Sequence, residues 1–312
     1  MKFKCLFPFL MSLVFLTSCS SIIKKTATSQ IGQTFANEKT LYVISSENDP
    51  ELIWDSMPVA LKGMEIVLAQ DSDNSKLKII LATSYVSYAQ GYLASHAQMT
   101  KNTDYSKSEY LWHRAHNLSL RGRDYALSAL DSKYPDFTKR LKEDTQSTLI
   151  EMTNEDVPAL YWAAAGWVGG ISSNISDMEN IAELPVAVAM MHRALELDEY
   201  YNDGAIHEFF IAYEARRPNA TKENFENAKM HFDKVIEFTH GQRAFPYVLY
   251  AESVAIKKQD IKLFDEMLKK ALEVNPDQIL KWRLVNTIAQ EKARWLLTQK
   301  ELLFIDYEED KE

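Results

Sequence analysis

Apolar residues recur at third and fourth positions along nearly the whole chain after Asp49-Pro50, as amphipathic helices require when one face is packed. Phe264, Met267, Leu268, Ala271 and Leu272 form one such stripe. Ala228, Phe232, Val235 and Thr239 form another, with Lys229, Asp233, Lys234 and Glu237 mainly on the opposite side. Val188, Met191, Ala194 and Leu195 form a third. In each stripe a small residue stands one or two turns from a large one, which lets a neighbouring helix come close. The pattern predicts helix pairs over 50–70 with 75–99, 106–133 with 155–169, 183–198 with 203–216, and 223–239 with 244–257. Helices over 261–274 and 278–304 follow. The last carries Leu280, Leu284, Ile288 and, one turn on, Lys292, and is long enough to cap the array. Thr40–Ile44 is rich in strand-forming residues without a partner strand and reads as an extended lead-in.

Spacing adds a second layer. Ala194-Leu-Glu196, Val235-Ile-Glu237 and Ala271-Leu-Glu273 look like equivalent positions, 41 and then 36 residues apart. Ala129-Leu-Asp131 is a weaker copy 65 residues before Ala194, a gap with room for an insertion or an extra helix. Tetratricopeptide repeats are helix pairs with a period of about 34 residues, a small residue midway along the second helix and a proline after it. Pro135 and Pro276 stand in that position after Ala129 and Ala271. The expected fold is therefore all-α, a superhelical array of helix hairpins resembling divergent tetratricopeptide repeats, with a long C-terminal capping helix.

Composition narrows the class further. Nine glycines and nine prolines in 312 residues are too few for an all-β chain, which needs turn residues roughly every 8–12 positions. A formal net charge of −9 lacks the basic balance of a nucleic-acid binder, so no nucleic-acid partner is expected.

The N-terminus reads as an address. Lys2 and Lys4 precede the apolar run Leu6–Leu16, which is too short to span a bilayer as a mature helix, and Leu16-Thr17-Ser18-Cys19 follows. A signal peptide closing on small residues directly before a cysteine resembles the lipobox of bacterial lipoproteins. Residues 1–18 would be the signal peptide, Cys19 the lipidated N-terminus and 19–48 the lipidated cysteine and a polar tether. The helical domain would cover 49–305, and 306–312 would form an acidic tail. Only Cys5 and Cys19 are present, so the mature protein would hold no free thiol, and its stability would rest on packing. Ser20, rather than an aspartate, follows the cysteine, which favours the periplasmic leaflet of the outer membrane.

Motifs for chemistry are missing. No glycine pair has the spacing of a dinucleotide loop, and no glycine precedes a lysine as in a phosphate-binding loop. His207-Glu208 is followed by Ile211 where a zinc-protease helix needs its second histidine. His113 and His116 share a helix face without a third ligand. Gly170-Ile-Ser172 is followed by Asn174 where a nucleophile elbow requires glycine. No enzymatic activity, metal or cofactor is expected.

Five local signatures share one direction: Ala159-Leu-Tyr-Trp-Ala-Ala-Ala-Gly-Trp167, Gly204-Ala-Ile-His207, Ala228-Lys-Met-His-Phe232, Tyr250-Ala-Glu252 and the run from Leu284 to Leu297. With the lipobox they resemble the T-component lipoproteins associated with TRAP transporters (tripartite ATP-independent periplasmic transporters; the TatT family) over roughly residues 50–305. The resemblance implies a periplasmic, lipid-anchored homotrimer of divergent tetratricopeptide-like motifs. It would bind the periplasmic solute-binding protein of the transporter and assist delivery of an apolar ligand through a passage in each protomer. The competing reading is a generic tetratricopeptide scaffold for assembling envelope complexes.

Candidate contacts for a ligand or partner groove are aromatic and polar. Tyr161, Trp162 and Trp167 sit among alanines and glycines that either allow close helix approach or leave a groove. His207 lies among Ile206, Phe209 and Phe210, a setting that more often holds a satisfied buried histidine than a ligand contact. Arg283, Asn286 and Gln290 recur as a polar stripe beside an apolar one.

Overall fold

The computed structural model describes Thr34 and residues 37–305, and among them every regular element is helical. The signal peptide, Cys19, most of the tether and the acidic tail expected from the sequence lie outside the described residues.

Helix α1 spans Glu38–Ser45 and α2 spans Pro50–Leu68. Next, α3 runs as Ser75–Ser87, a π-helical stretch Tyr88–Ala94, and Ser95–Thr100. Helix α4 is Tyr105–Lys133, followed by the short α5, Phe137–Glu143, and α6, Thr145–Ile150. The second half comprises α7 (Val157–Ser173), α8 (Met178–Ala182), α9 (Leu184–Leu197), α10 (Tyr201–Arg216) and α11 (Lys222–Thr239). Helix α12 runs as Phe245–Tyr250, a second π-helical stretch Ala251–Ala255, and Ile256–Lys258. The chain closes with α13 (Ile261–Glu273), α14 (Arg283–Leu297) and α15 (Lys300–Leu303).

Local chemistry sets the helix starts. The side chains of Asp49, Asn74, Asp104 and Asp260 each accept a backbone N–H three residues on, which satisfies a donor that a helix start leaves free. Thr221 and Asn224 cap α11 reciprocally. The long gap between Ala129 and Ala194 contains the short helices α5, α6 and α8, besides α7. All four repeat-equivalent positions, Ala129, Ala194, Val235 and Ala271, are buried.

Close pairing follows small residues rather than chain order. Helix α4 packs along α3 and α7, α7 along α9, and α10 along α11. The pairs expected between 183–198 and 203–216, and between 223–239 and 244–257, are the looser ones. A helical period shows which face is buried but not which neighbour covers it. On α7 the neighbour is set by Gly166, where a Cβ would stand 2.7 Å from the Ser119 carbonyl oxygen and 2.8 Å from the Arg123 nitrogen. On α10 it is Gly204, which faces Val235 and Phe238 of α11.

Two further segments differ from expectation. Thr40–Ile44 is helical: Asn37 caps α1 by accepting from the Lys39 N–H, and α1 lies against α14, so tertiary contact overrides strand propensity. The long helix expected over 278–304 is broken into a 3-10 turn at Leu280–Trp282, α14 and α15. After α14 the chain turns back to bury Phe304 edge-on against Phe264, and the Gln259 side chain holds that return by bonds to Leu303 and Ile305. Nor does α14 cap an open end. Arg283 donates to the Ser46 carbonyl at 3.2 Å, and Ile288 packs against the core formed by Trp54, Leu77, Leu81, Tyr85 and Leu93. Helices near the two ends of the described chain thus meet.

Candidate functional site

Where the ends meet they enclose a cleft of about 990 Å³. One wall comes from α3, the start of α4 and the residues just after α7; the other comes from the end of α10, from α12 and from α14. Trp112, Phe245, Val248 and Ile288 supply apolar surface, and Gly91, Ala94, Ser95 and Ala289 keep the space open.

Both π-helical stretches face this cleft: Gln90, Gly91 and Ala94 from the first, Glu252 from the second. A π-turn carries an extra residue and widens the helix locally, a distortion that clusters at functional sites. The Gln98 amide donates to Glu252 Oε1 at 2.8 Å and links the two walls. Lys292 of α14 bonds Gln98 Oε1 and lies 3.4 Å from Glu252 Oε1, while Arg216 approaches Glu252 Oε2 at 3.3 Å. Burial opposes ionisation of Glu252, but Lys292 and Arg216 outweigh it and hold the carboxyl below its ordinary range. Burial pulls the Lys292 ammonium below its usual value, and Glu252 pulls against that.

A second concavity of about 890 Å³ lies between α6 and α9, floored by Leu149, Val188 and Tyr213. Its arginine, Arg193, bonds Glu196 and the carbonyls of Ile150 and Met152 through its two terminal nitrogens. It lacks the bridging charges of the cleft.

None of the candidate groove residues Tyr161, Trp162, Trp167, His207, Arg283, Asn286 and Gln290 lines the cleft, and the structure scatters them. Trp167 is 1% exposed inside the core between α4, α7 and α9, with the Arg123 guanidinium 4.9 Å above its ring. Half-buried Tyr161 packs edge-on against Trp162 and meets Tyr201 at 5.2 Å. Asn286 is buried and ties α14 to the loop before α12, accepting from the Ala244 N–H and donating to the Gln242 carbonyl. Arg283 pairs with Asp277 near the surface. Gln98, Arg216, Glu252 and Lys292 carried one readable signal: Lys292 continues the apolar stripe of Leu284 and Ile288, so its amine had to enter the protein and find a partner.

His207 is 2% exposed, and its Nδ1 lies 2.7 Å from Nδ1 of His231. One ring must donate while the other accepts, so at least the accepting ring is neutral. Burial, with the neighbouring His207 and His192, pushes His231 down to about 4, and burial lowers His207 too. A histidine depressed in the fold gives stability that is complete above its unfolded value and disappears as pH falls toward the folded one. Unfolding free energy should therefore drop by about 2 kcal/mol from neutral pH to about pH 5 through His231. Urea titrations of wild type and His231→Phe would show this as a steeper acid slope in the wild type; parallel slopes would refute it.

The comparisons with known proteins agree with the sequence signatures. The TRAP transporter T-component family matches residues 46–304. A protein of Treponema pallidum (strain Nichols), described as uncharacterized, is 27% identical over 268 residues, covering 85% of this chain and 83% of that protein. With its signature spanning the helical body from α2 to α15, the chain belongs to the TRAP transporter T-component family.

Proposed function

We propose that this protein is a lipid-anchored periplasmic component that receives the solute-binding protein of a TRAP transporter and assists ligand passage through the cleft. Membership in the T-component family makes it a TRAP transporter accessory protein rather than a member of a known enzyme family, and suggests an envelope location. No described helix is long and apolar enough to cross a membrane. The observation that carries the proposal is the cleft itself: about 990 Å³, between two π-helical walls. Its helices would form a divergent tetratricopeptide-like stack, whose broad surfaces suit partner contact. Three copies would assemble into a homotrimer, anchored through Cys19 to the periplasmic leaflet of the outer membrane. A multi-chain anchor, at about 0.8 kcal/mol per buried methylene, holds a protein far more firmly than one acyl chain.

The test mixes purified protein lacking residues 1–19 with the solute-binding protein of its own TRAP system, with masses read by light scattering. The expected result is a mass of three chains that rises on adding the partner. A monomer that leaves the partner unbound would overturn the proposal. In cells, labelled palmitate should enter the wild type and be absent from Cys19→Ala; equal labelling would remove the anchor from the scheme.

A further inference from the structure

Leu41, Tyr42, Val43 and Ile44 of α1 are four apolar residues in a row, and every one of them is exposed, Val43 by 69%. Four successive residues go almost right round an α-helix, so a neighbour on one side cannot cover them all. The covered side of α1 lies on α14 and on the turn Leu280–Trp282 before it. Those neighbours add open apolar side chains of their own, Leu280 and Val285. Such a cluster is costly in water unless something else takes it up. Its surroundings in the sequence are basic. From Ser20 to Ser46 the chain carries Lys24, Lys25 and Lys39 against one acid, Glu38, although its formal net charge is −9.

We propose that α1, with Leu280 and Val285, is a second membrane contact, a face that docks on an anionic lipid surface beside the anchor. The inference rests on the reading of Cys19 as the anchor and adds how the body sits on the bilayer. The connecting chain argues for lipid as the occupant. Even fully extended, residues 20–37 span about 60 Å, and a coil of that length averages about 20–25 Å, so an anchored chain brings α1 to the headgroups. Lysines leading into an exposed apolar helix are the composition of segments that lie along an anionic interface. Tyr42 suits that depth, with its ring toward the acyl chains and its hydroxyl toward water. Six partly covered side chains also fall short of the roughly 800 Å² per partner of a stable protein interface. Docking would orient the cleft as well. Helix α14 meets the end of α1 where Arg283 bonds the Ser46 carbonyl, and further along it lines the cleft with Ile288, Ala289 and Lys292.

The probe is a vesicle of phosphatidylethanolamine and phosphatidylglycerol, with phosphatidylcholine vesicles for contrast. The protein is the chain beginning at Ser20, which keeps every described residue and has no Cys19 to acylate. Flotation should carry it with the anionic vesicles and leave it behind with phosphatidylcholine. Val43→Glu, at a side chain open to water and so safe for folding, should weaken the binding about tenfold. Lys24→Gln with Lys25→Gln should weaken it about 25-fold, each lysine near an anionic surface being worth about fivefold. A fluorophore on Val43→Cys, the sole thiol of this chain, should be quenched by nitroxide-labelled acyl chains. One on Ile150→Cys, equally exposed but on α6, should not. No flotation, or equal flotation of Val43→Glu, would overturn the inference. So would a Val43→Cys label already shielded without vesicles, the mark of a second copy on this face, or shielded only on adding the solute-binding protein. Palmitate labelling of the wild type keeps the two proposals apart. Labelling without flotation of the chain from Ser20 sinks only the docking face, and flotation without labelling sinks only the anchor.

Discussion

Replacing Arg243 with leucine is expected to destabilise the protein by about 4 kcal/mol, the cost of stranding one member of a buried ion pair. Arg243 sits in the loop before α12, and its guanidinium lies 3.1 Å from Glu208 Oε1 on α10, with both side chains 9% exposed. The same group donates to the Asn202 carbonyl at 3.3 Å. Asn202, Asp203 and Gly204 are three consecutive residues at positive φ, a conformation that disfavours side chains bearing a Cβ, so the turn needs outside support. Asp203 receives it from Lys281 and from the Trp282 indole N–H; Asn202 receives it from Arg243. Burial pushes the Glu208 carboxyl up, with Arg243 opposing and Asp203 adding to the rise. Without Arg243 the folded carboxyl titrates higher still. A carboxyl raised in the fold gives stability that is full below its unfolded value and fades as pH rises. The variant should therefore lose more stability at neutral pH than near pH 5, and Arg243→Leu with Glu208→Leu should recover most of the loss. Chemical denaturation at the two pH values decides it, and a single-variant cost below about 1 kcal/mol would show that the pair is not a buried dependency.

Gly166→Val should cost about 3 kcal/mol, from overpacking between two backbones. A Cβ there meets a carbonyl oxygen and an amide nitrogen of α4, neither of which can swing aside as a side-chain tip would, so α4 and α7 must part. Gly63→Ala is the control. Nothing lies within 4 Å of its added methyl, and exchanging an exposed helical glycine for alanine should stabilise by about 0.5–1 kcal/mol. Melting curves of the two variants should move in opposite directions. If Gly166→Val melted with the wild type, the close crossing of α4 and α7 would be wrong.

Much of the helical content could be read directly from residue period. The stripe Phe264, Met267, Leu268 and Ala271 is buried as one face of α13, and the missing length between Ala129 and Ala194 holds three extra short helices besides α7. Pairing was less legible, because an apolar face is indifferent to which neighbour covers it. Gly166 and Gly204 decide the neighbours of α7 and α10, yet a glycine for close approach and a glycine beside a groove look alike in one dimension. Asn202-Asp203-Gly204 did carry a signal, since these residue types tolerate left-handed geometry, but it lay inside a run that scans as helix. The cleft was the least legible feature. Gln98 and Glu252 are far apart in the chain and meet only because α14 returns to the first helices.

The π-helical stretch Tyr88–Ala94 has a consequence for length as well as shape. It amounts to one residue more than an α-helix of the same span would hold, and each α-helical residue turns the chain by about 100 degrees. Excising a single residue there would leave Leu77 and Leu81 in place while rotating Gln98 away from Glu252. A span of sequence thus sets the joint between the two walls by its residue count, and insertions or deletions within it would act as strongly as any change of side chain.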